Sequence, residues 1–217
     1  MALDTNLISW WKMEGNSNDA VGSNDGTDTD ITYPAGKINE GAQGAETTSK
    51  IEAIFAYQPT SFSVAFWLYP TSLTNYNQRI EAINTWGSFV FHTTATGAVY
   101  CGTDIDTRWT PINLPADTLI IDTWHFIVYT YDGTYGRFYK NGSLLEGPKA
   151  QDSPSAWGGF QMGGDDVAHS LAGKADEVGI WSRALTSDEI SEIYNSGDGI
   201  TYPFLPKGNT IFLSNNF

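Results

Sequence analysis

The sequence predicts an all-β protein, a two-sheet antiparallel β-sandwich with one short C-terminal helix. Three observations predict it. Apolar runs of about four to eight residues recur between turn residues along most of the chain. The 22 Gly and 9 Pro supply those turns, while 14% aromatic residues supply material for a core. One segment alone, around residues 185–197, carries a full set of helix signals. A chain of 217 residues can bury a sizeable core, and one domain over residues 1–200 with an extended tail over 201–217 is expected.

The first strand covers residues 7–13, with Leu7, Ser9, Trp11 and Met13 on one side. Residues 14–50 read as loop, interrupted by short pieces at 36–39 and 48–53. Residues 62–69 are apolar on both faces, which suits a central strand of a sandwich. Residues 79–84 and 88–93 pair around Thr85-Trp86-Gly87, and 98–103 follow. Residues 111–117 read as a connector, because Pro111 and Pro115 block ladder hydrogen bonds. Residues 124–131 form another strand with both faces apolar, and 136–140 return from the Asp132-Gly133 turn. Asn141-Gly142 signals a type I′ hairpin into 143–145, and 157–162 and 175–181 finish the sheets. Thr186 with Glu189 makes a capping box and Leu185 with Ile190 a hydrophobic staple, so the helix begins at Ser187. Asn195-Ser196-Gly197 stops it.

Five blocks in chain order carry a resemblance. They are Trp11-Lys12-Met13-Glu14-Gly15 with the loop from Asp19 to Thr27, the strand from Ser61 to Pro70, and Trp124-His125 through Gly133 closed by Phe138 to Gly142. The last two are Gly173-Lys174-Ala175-Asp176-Glu177-Val178 and the run from Leu185 to Ile190. Together they resemble the laminin-G-like (LamG-like jelly roll) domains of the concanavalin A-like lectin and glucanase superfamily, over roughly residues 7–196. The resemblance implies a jelly-roll sandwich and a lectin-like, non-catalytic role. It also implies that the Asp opening the first loop and the Asp of the Asp-Glu-Val strand come together, which here are Asp19 and Asp176. With Asn24 and carbonyls around 22–26 they would form a calcium site, since calcium takes six to eight oxygen ligands. Turn capping by Asp19 and Asn24, with Asp176 as a buried acceptor, is the alternative. Glu177, one residue on, is expected to point the other way.

Eleven Lys plus Arg against 25 Asp plus Glu give a net charge of −14, which repels nucleic acid and anionic lipid. No run is long and apolar enough to span a membrane, and residues 1–4 lack the marks of a secretion signal. The single Cys101 excludes an internal disulfide. Catalysis lacks its parts. No three-carboxylate string of the glycoside hydrolase kind occurs. Asp104 and Asp106 share a face without a third acid in register, and the adjacent Asp165-Asp166 read as a turn. There is no Gly-x-Ser-x-Gly elbow, and His92, His125 and His169 have no zinc spacing. A glycan-cleaving enzyme is the least supported reading.

Binding remains. Sugar rings stack their C–H faces on aromatic side chains, and Trp86, Trp109, Trp157 and Tyr135 stand in or near loops as the ligand-binding candidates. The expected function is a carbohydrate-binding or adhesion module at a virion or extracellular surface reached without a signal, the cytoplasm being the other location. The alternative is a structural or assembly protein, such as a phage virion decoration or fibre component. The apolar tail 201–217 would either dock on its own domain or tether a homo-oligomer or virion subunit.

Overall fold

Fourteen strands, among the residues described by the computed structural model, form two antiparallel sheets of seven. The described residues are 2–45, 48–73, 78–83, 88–103, 112–164 and 169–205. The first sheet runs β1 (Leu7–Trp11), β14 (Gly173–Trp181), β5 (Phe62–Pro70), β10 (His125–Tyr131), β11 (Tyr135–Lys140) and β12 (Ser143–Ala150), with β3 (Ala42–Gly44) also pairing β14. The second runs β2 (Gly26–Thr29), β4 (Lys50–Tyr57), β13 (Trp157–Gly163), β6 (Ile80–Ile83), β7 (Phe89–Thr93), β8 (Val99–Thr103) and β9 (Ile112–Leu114). No described helix is long and apolar enough to cross a membrane.

Strand alternation sets the layers. From β5, Phe62, Val64, Phe66 and Leu68 enter the core between the sheets, where they meet Ile80, Phe89 and Phe91 of the second sheet. The intervening Ala65 and Trp67 face outward into a second apolar cluster with Trp10, Phe126, Val128 and Trp181. That cluster is roofed by Leu185, Ile190 and Ile193 and by the chain ends, through Leu3, Tyr202 and Phe204. A central strand apolar on both faces is thereby explained, since both of its faces are covered. Ile190 and Ile193 are fully buried there, worth about 1.5–3 kcal/mol each by area.

The helix α1 (Ser187–Tyr194) starts as its sequence predicts. The Thr186 hydroxyl accepts from the Glu189 amide, the Glu189 carboxylate accepts from the Thr186 amide, and Asn195 closes the helix in the left-handed region at φ 47°. Asn141 and Gly142 both take positive φ, 50° and 78°, as the type I′ turn requires.

Three expectations differ. The segment read as a connector contains β9, whose three residues fit between Pro111 and Pro115 and pair with β8 at the sheet edge, where proline is tolerated. The last hairpin strand extends to Ala150, with register shifts where β11 meets it. Residues 26–29 and 42–44, read as loop, add short edge pairings.

Candidate ligand-binding face

The helix and the terminal segments cover the first sheet's outer face over β1, β14, β5 and β10, and among the described residues no apolar cluster covers the second sheet's outer face. Its strands alternate. Ile51, Ala53, Ile80, Ala82, Phe91, Cys101, Ile112, Phe160 and Met162 fill the core, which turns the intervening polar residues outward. Register then aligns them in two rows. One row reads Thr27, Glu52, Gln161, Glu81, Val90 and Gly102 across six strands. The other reads Thr29, Lys50 and Gly163, then His92, Tyr100 and Asn113. Arg79 joins the second row between Gly163 and His92, its carbonyl accepting from the Gly163 amide at 2.7 Å.

The rows are tied by charge. Arg79 Nη2 donates to Glu81 Oε2 at 2.6 Å, and Gln161 Nε2 donates to the other oxygen, Oε1, at 2.6 Å. Lys50 Nζ lies 3.7 Å from Glu52 Oε2. The His92 and Tyr100 rings stack at 5.2 Å with 12° between planes. Burial pushes the His92 imidazole down to about 4, against a bond to the Thr93 backbone, with Arg79 and His169 adding to the effect; the ring is neutral at pH 7. The result is a largely polar surface with fixed donors and acceptors and one aromatic stack, in which Val90 and His92 are themselves buried. None of these residues stood out in the sequence as a site. The signal was there in the twin strings Lys50-Ile51-Glu52-Ala53 and Arg79-Ile80-Glu81-Ala82, which present a cation and a carboxylate to one face of each of two strands.

The aromatic candidates fall in different places. Tyr135, the first residue of β11, is 43% exposed. Trp157 is inside the core, edge-on to Phe62 at 5.0 Å and to Tyr57 at 5.2 Å, so its indole offers no face to a sugar. Trp86 and Trp109 lie outside the described residues, as do Asp104, Asp106, Asp165 and Asp166.

The acidic loop is used locally. Asp19 Oδ1 accepts from the Trp10 and Val21 amides and Oδ2 from the Asn24 amide, so three of about four acceptor positions of the carboxylate are taken. Asn24 Nδ2 donates to Ser9 Oγ at 2.8 Å and its carbonyl accepts from the Trp11 indole. Asp25 Oδ1 caps the Asp19 amide, and Asp28 accepts from Ser17 and Tyr33. Asp176 is held by another loop, its Oδ2 accepting from the Lys37 and Ile38 amides at 2.7 and 2.9 Å. Its Oδ1 is buried without a partner. Among the described residues no three acidic, histidine or cysteine side chains are gathered for a metal.

Glu177 departs from expectation. It takes φ 48° within a β-bulge between Asp176 and Gly179, and the extra residue breaks alternation. Asp176 stands opposite the outward-facing Trp67, and Glu177 Oε2 accepts from the indole of outward-facing Trp10. Both carboxyls therefore lie on the same outer face of the first sheet, each almost wholly buried. Burial raises Asp176 to about 7, partly offset by the Ile38 and Lys37 amides. Burial also raises Glu177 to about 8, with the Asp176 charge adding to it. His125, read as structural, is buried and its Nε2 engages the Ile120 backbone.

The tail begins by docking on its own domain. Phe204 meets Trp10 edge-on at 5.0 Å and Tyr202 packs on the same cluster. An apolar cleft of about 510 Å³ lies beside it, lined by Leu3, Ile38, Ile200, Phe204 and Leu205 with Glu192 and Asp198. Residues 206–217 lie outside the described residues.

Two packed antiparallel sheets with a free polar face define a lectin-like β-sandwich. Residues 39–191 match the laminin-G family model of the concanavalin A-like lectin/glucanases superfamily, and the chain belongs to that family. No curated protein matches it in sequence. Among solved structures it is similar to domain 4 of AbnA, a GH43 extracellular arabinanase of Geobacillus stearothermophilus, in complex with arabinotriose. The TM-score is 0.66 at 18% identity, covering 86% of this chain and 97% of that one. It is also similar to the binding domain of Paraclostridial Mosquitocidal Protein 1, with TM-score 0.67, 16% identity, and 89% and 53% of the two chains covered. A third is a structure of botulinum neurotoxin type C, whose cell entry depends on interaction with two ganglioside molecules, with TM-score 0.64, 13% identity, and 89% and 52% covered. The chain thus spans about half the length of the toxin chains. At these identities the likeness is one of fold.

Proposed function

We propose that the chain is a non-catalytic carbohydrate-binding or adhesion module that presents the outer face of its second sheet to glycans. The observation that carries this reading is the pair of largely polar rows on a sheet face that no apolar cluster covers among the described residues. Planar amide and carboxylate groups fixed by one another match vicinal sugar hydroxyls, and a preordered surface loses little entropy on binding. The similar structures support a glycan-binding module of this fold, since one holds arabinotriose. Among the described residues the rows hold two carboxylates, and Glu52 faces Lys50 at 3.7 Å. Glu81 is locked between Arg79 and Gln161.

Calcium stabilisation and display on a virion or cell surface are the finer parts of this proposal. The calcium part is supported by the unpartnered Asp176 Oδ1 and by the acidic loop of the resembling family. A glycan array in calcium and in EGTA tests the whole: binding to a defined sugar set supports the module, and no binding in calcium sinks it. The melting temperature is expected to fall on chelation and to become insensitive to EGTA in Asp176→Ala. An EGTA-insensitive parent protein removes calcium from the reading and leaves the glycan face standing.

A further inference from the structure

We infer that this face selects neutral oligosaccharides and rejects acidic ones, sialylated, uronic or sulfated; the inference rests on the glycan-binding reading above. Recognition of an anionic sugar needs an unpaired cation, best a guanidinium fork that can take the carboxylate or sulfate in two hydrogen bonds. Among the described residues the rows hold two permanent cations, Lys50 and Arg79. Each faces a carboxylate two residues along its own chain, Lys50 with Glu52 at 3.7 Å and Arg79 with Glu81 at 2.6 Å. The Arg79 pair is the tighter, because Glu81 is braced from its other side by Gln161 Nε2. Arg79 Nε is buried beneath the surface, out of a ligand's reach.

The other candidates add no positive charge. His92 stacks on Tyr100 and is neutral at pH 7, and Asn113, Thr27 and Gln161 carry none. The two rows therefore balance, two cations against two carboxylates, on a chain whose net charge is −14. An anion approaching the face meets a repelling field, and to bind it must displace Glu52 from Lys50 or Glu81 from Arg79. A neutral sugar keeps both ion pairs intact. Its hydroxyls can donate to Glu52 and Glu81 and accept from Gln161 and Asn113, with a ring face laid on the part-exposed Tyr100, which His92 backs from below.

Matched probes test this. The full chain is titrated with lactose-terminated oligosaccharides with and without a terminal sialic acid, and screened on an array carrying neutral arabino- and xylo-oligosaccharides beside polygalacturonate and sulfated glycans. The expected result is binding among the neutral members, with acidic counterparts at least tenfold weaker. Glu81→Gln, which leaves Arg79 without its counter-charge, should narrow that gap at least threefold. Asn113→Ala, at an exposed position and so safe for folding, should weaken the neutral ligand. Acidic members bound as well as neutral ones overturn the selectivity while leaving the glycan reading intact. Neutral binding unmoved by Asn113→Ala and Gln161→Ala, with circular dichroism unchanged, overturns the assignment to this face. Binding to no glycan of either kind overturns both.

Discussion

In EGTA, the protein should lose stability as the pH rises from about 6.5 to about 8, and the bulge at Asp176 and Glu177 is the cause. Their folded-state pKa values are about 7 and about 8, against ordinary values of 3.8 and 4.5. Below the folded values the native protein holds protons that the unfolded chain has released, so raising the pH favours unfolding. His92 and His125 act in the opposite sense. Burial lowers both below the ordinary 6.5, so they erode stability only as the pH falls through that value. Above it the carboxyl pair alone tilts the curve. Each group contributes about 1.4 kcal/mol per pH unit while its native form stays protonated. Glu177 does so over the whole interval and Asp176 over its first part, together about 2–3 kcal/mol. For a domain of this size that is a fall of roughly 5–10 °C in Tm. Differential scanning calorimetry at constant ionic strength reads it directly, and Asp176→Asn with Glu177→Gln should flatten the profile and raise Tm at pH 8. A parent Tm that is flat or rising over this interval would refute the reasoning, as would an equal slope in the double variant.

Three further outcomes follow from packing. Thr186→Ala removes the hydroxyl that accepts from the Glu189 amide and should cost about 1 kcal/mol, read as a Tm fall of about 2–4 °C. Gly36→Ala places a methyl 2.3 Å from the Glu40 carbonyl oxygen and 2.6 Å from Asp176 Oδ2. It should cost about 1–3 kcal/mol and weaken the clasp between the 37–38 amides and β14, visible as faster amide hydrogen exchange at Lys37 and Ile38. Trp157→Ala empties a site between Tyr57, Phe62 and Phe89 and should cost about 3–5 kcal/mol by urea denaturation. A Trp157→Ala protein of parental stability would show that the indole does not support the core.

The central strands and the helix were legible because their signals are strong and local. β5 and β10 are apolar on both faces, and Thr186, Glu189 and Leu185 specify the helix start without reference to anything distant. The short edge strands differ from expectation for a physical reason: β2, β3 and β9 have three or four residues, too few for alternation to rise above loop composition, and only pairing with a neighbour makes them strands. Glu177 was misplaced because strict alternation was assumed through Asp176-Glu177-Val178. No glycine marks the left-handed residue there, so the bulge is set by packing of Trp10 and Trp67 around the carboxyls and not by a local preference. The candidate face was illegible as a whole because it is a property of register across strands far apart in the chain; Glu52, Gln161 and Glu81 become neighbours only when β4, β13 and β6 pair.

The two sheets divide their labour, and the division makes the functional tests interpretable. The first sheet is covered on both faces at its middle strands β14, β5 and β10, so a substitution there acts on stability before it acts on anything else. The second sheet contributes one face to the core and leaves the other polar, with Glu52 and Arg79 part-exposed in ion pairs of a kind worth little to folding. Exposed Asn113 can therefore be changed with small effect on Tm, and Glu81→Gln keeps the side chain's shape and one acceptor oxygen while removing the charge. A change in glycan affinity at these positions that is unaccompanied by a change in melting reports on the ligand and not on the fold. Trp157 has the opposite character: its loss would weaken any binding by loosening the sandwich beneath the face. That contrast separates a side chain that touches sugar from one that holds up the sheet on which sugar would lie.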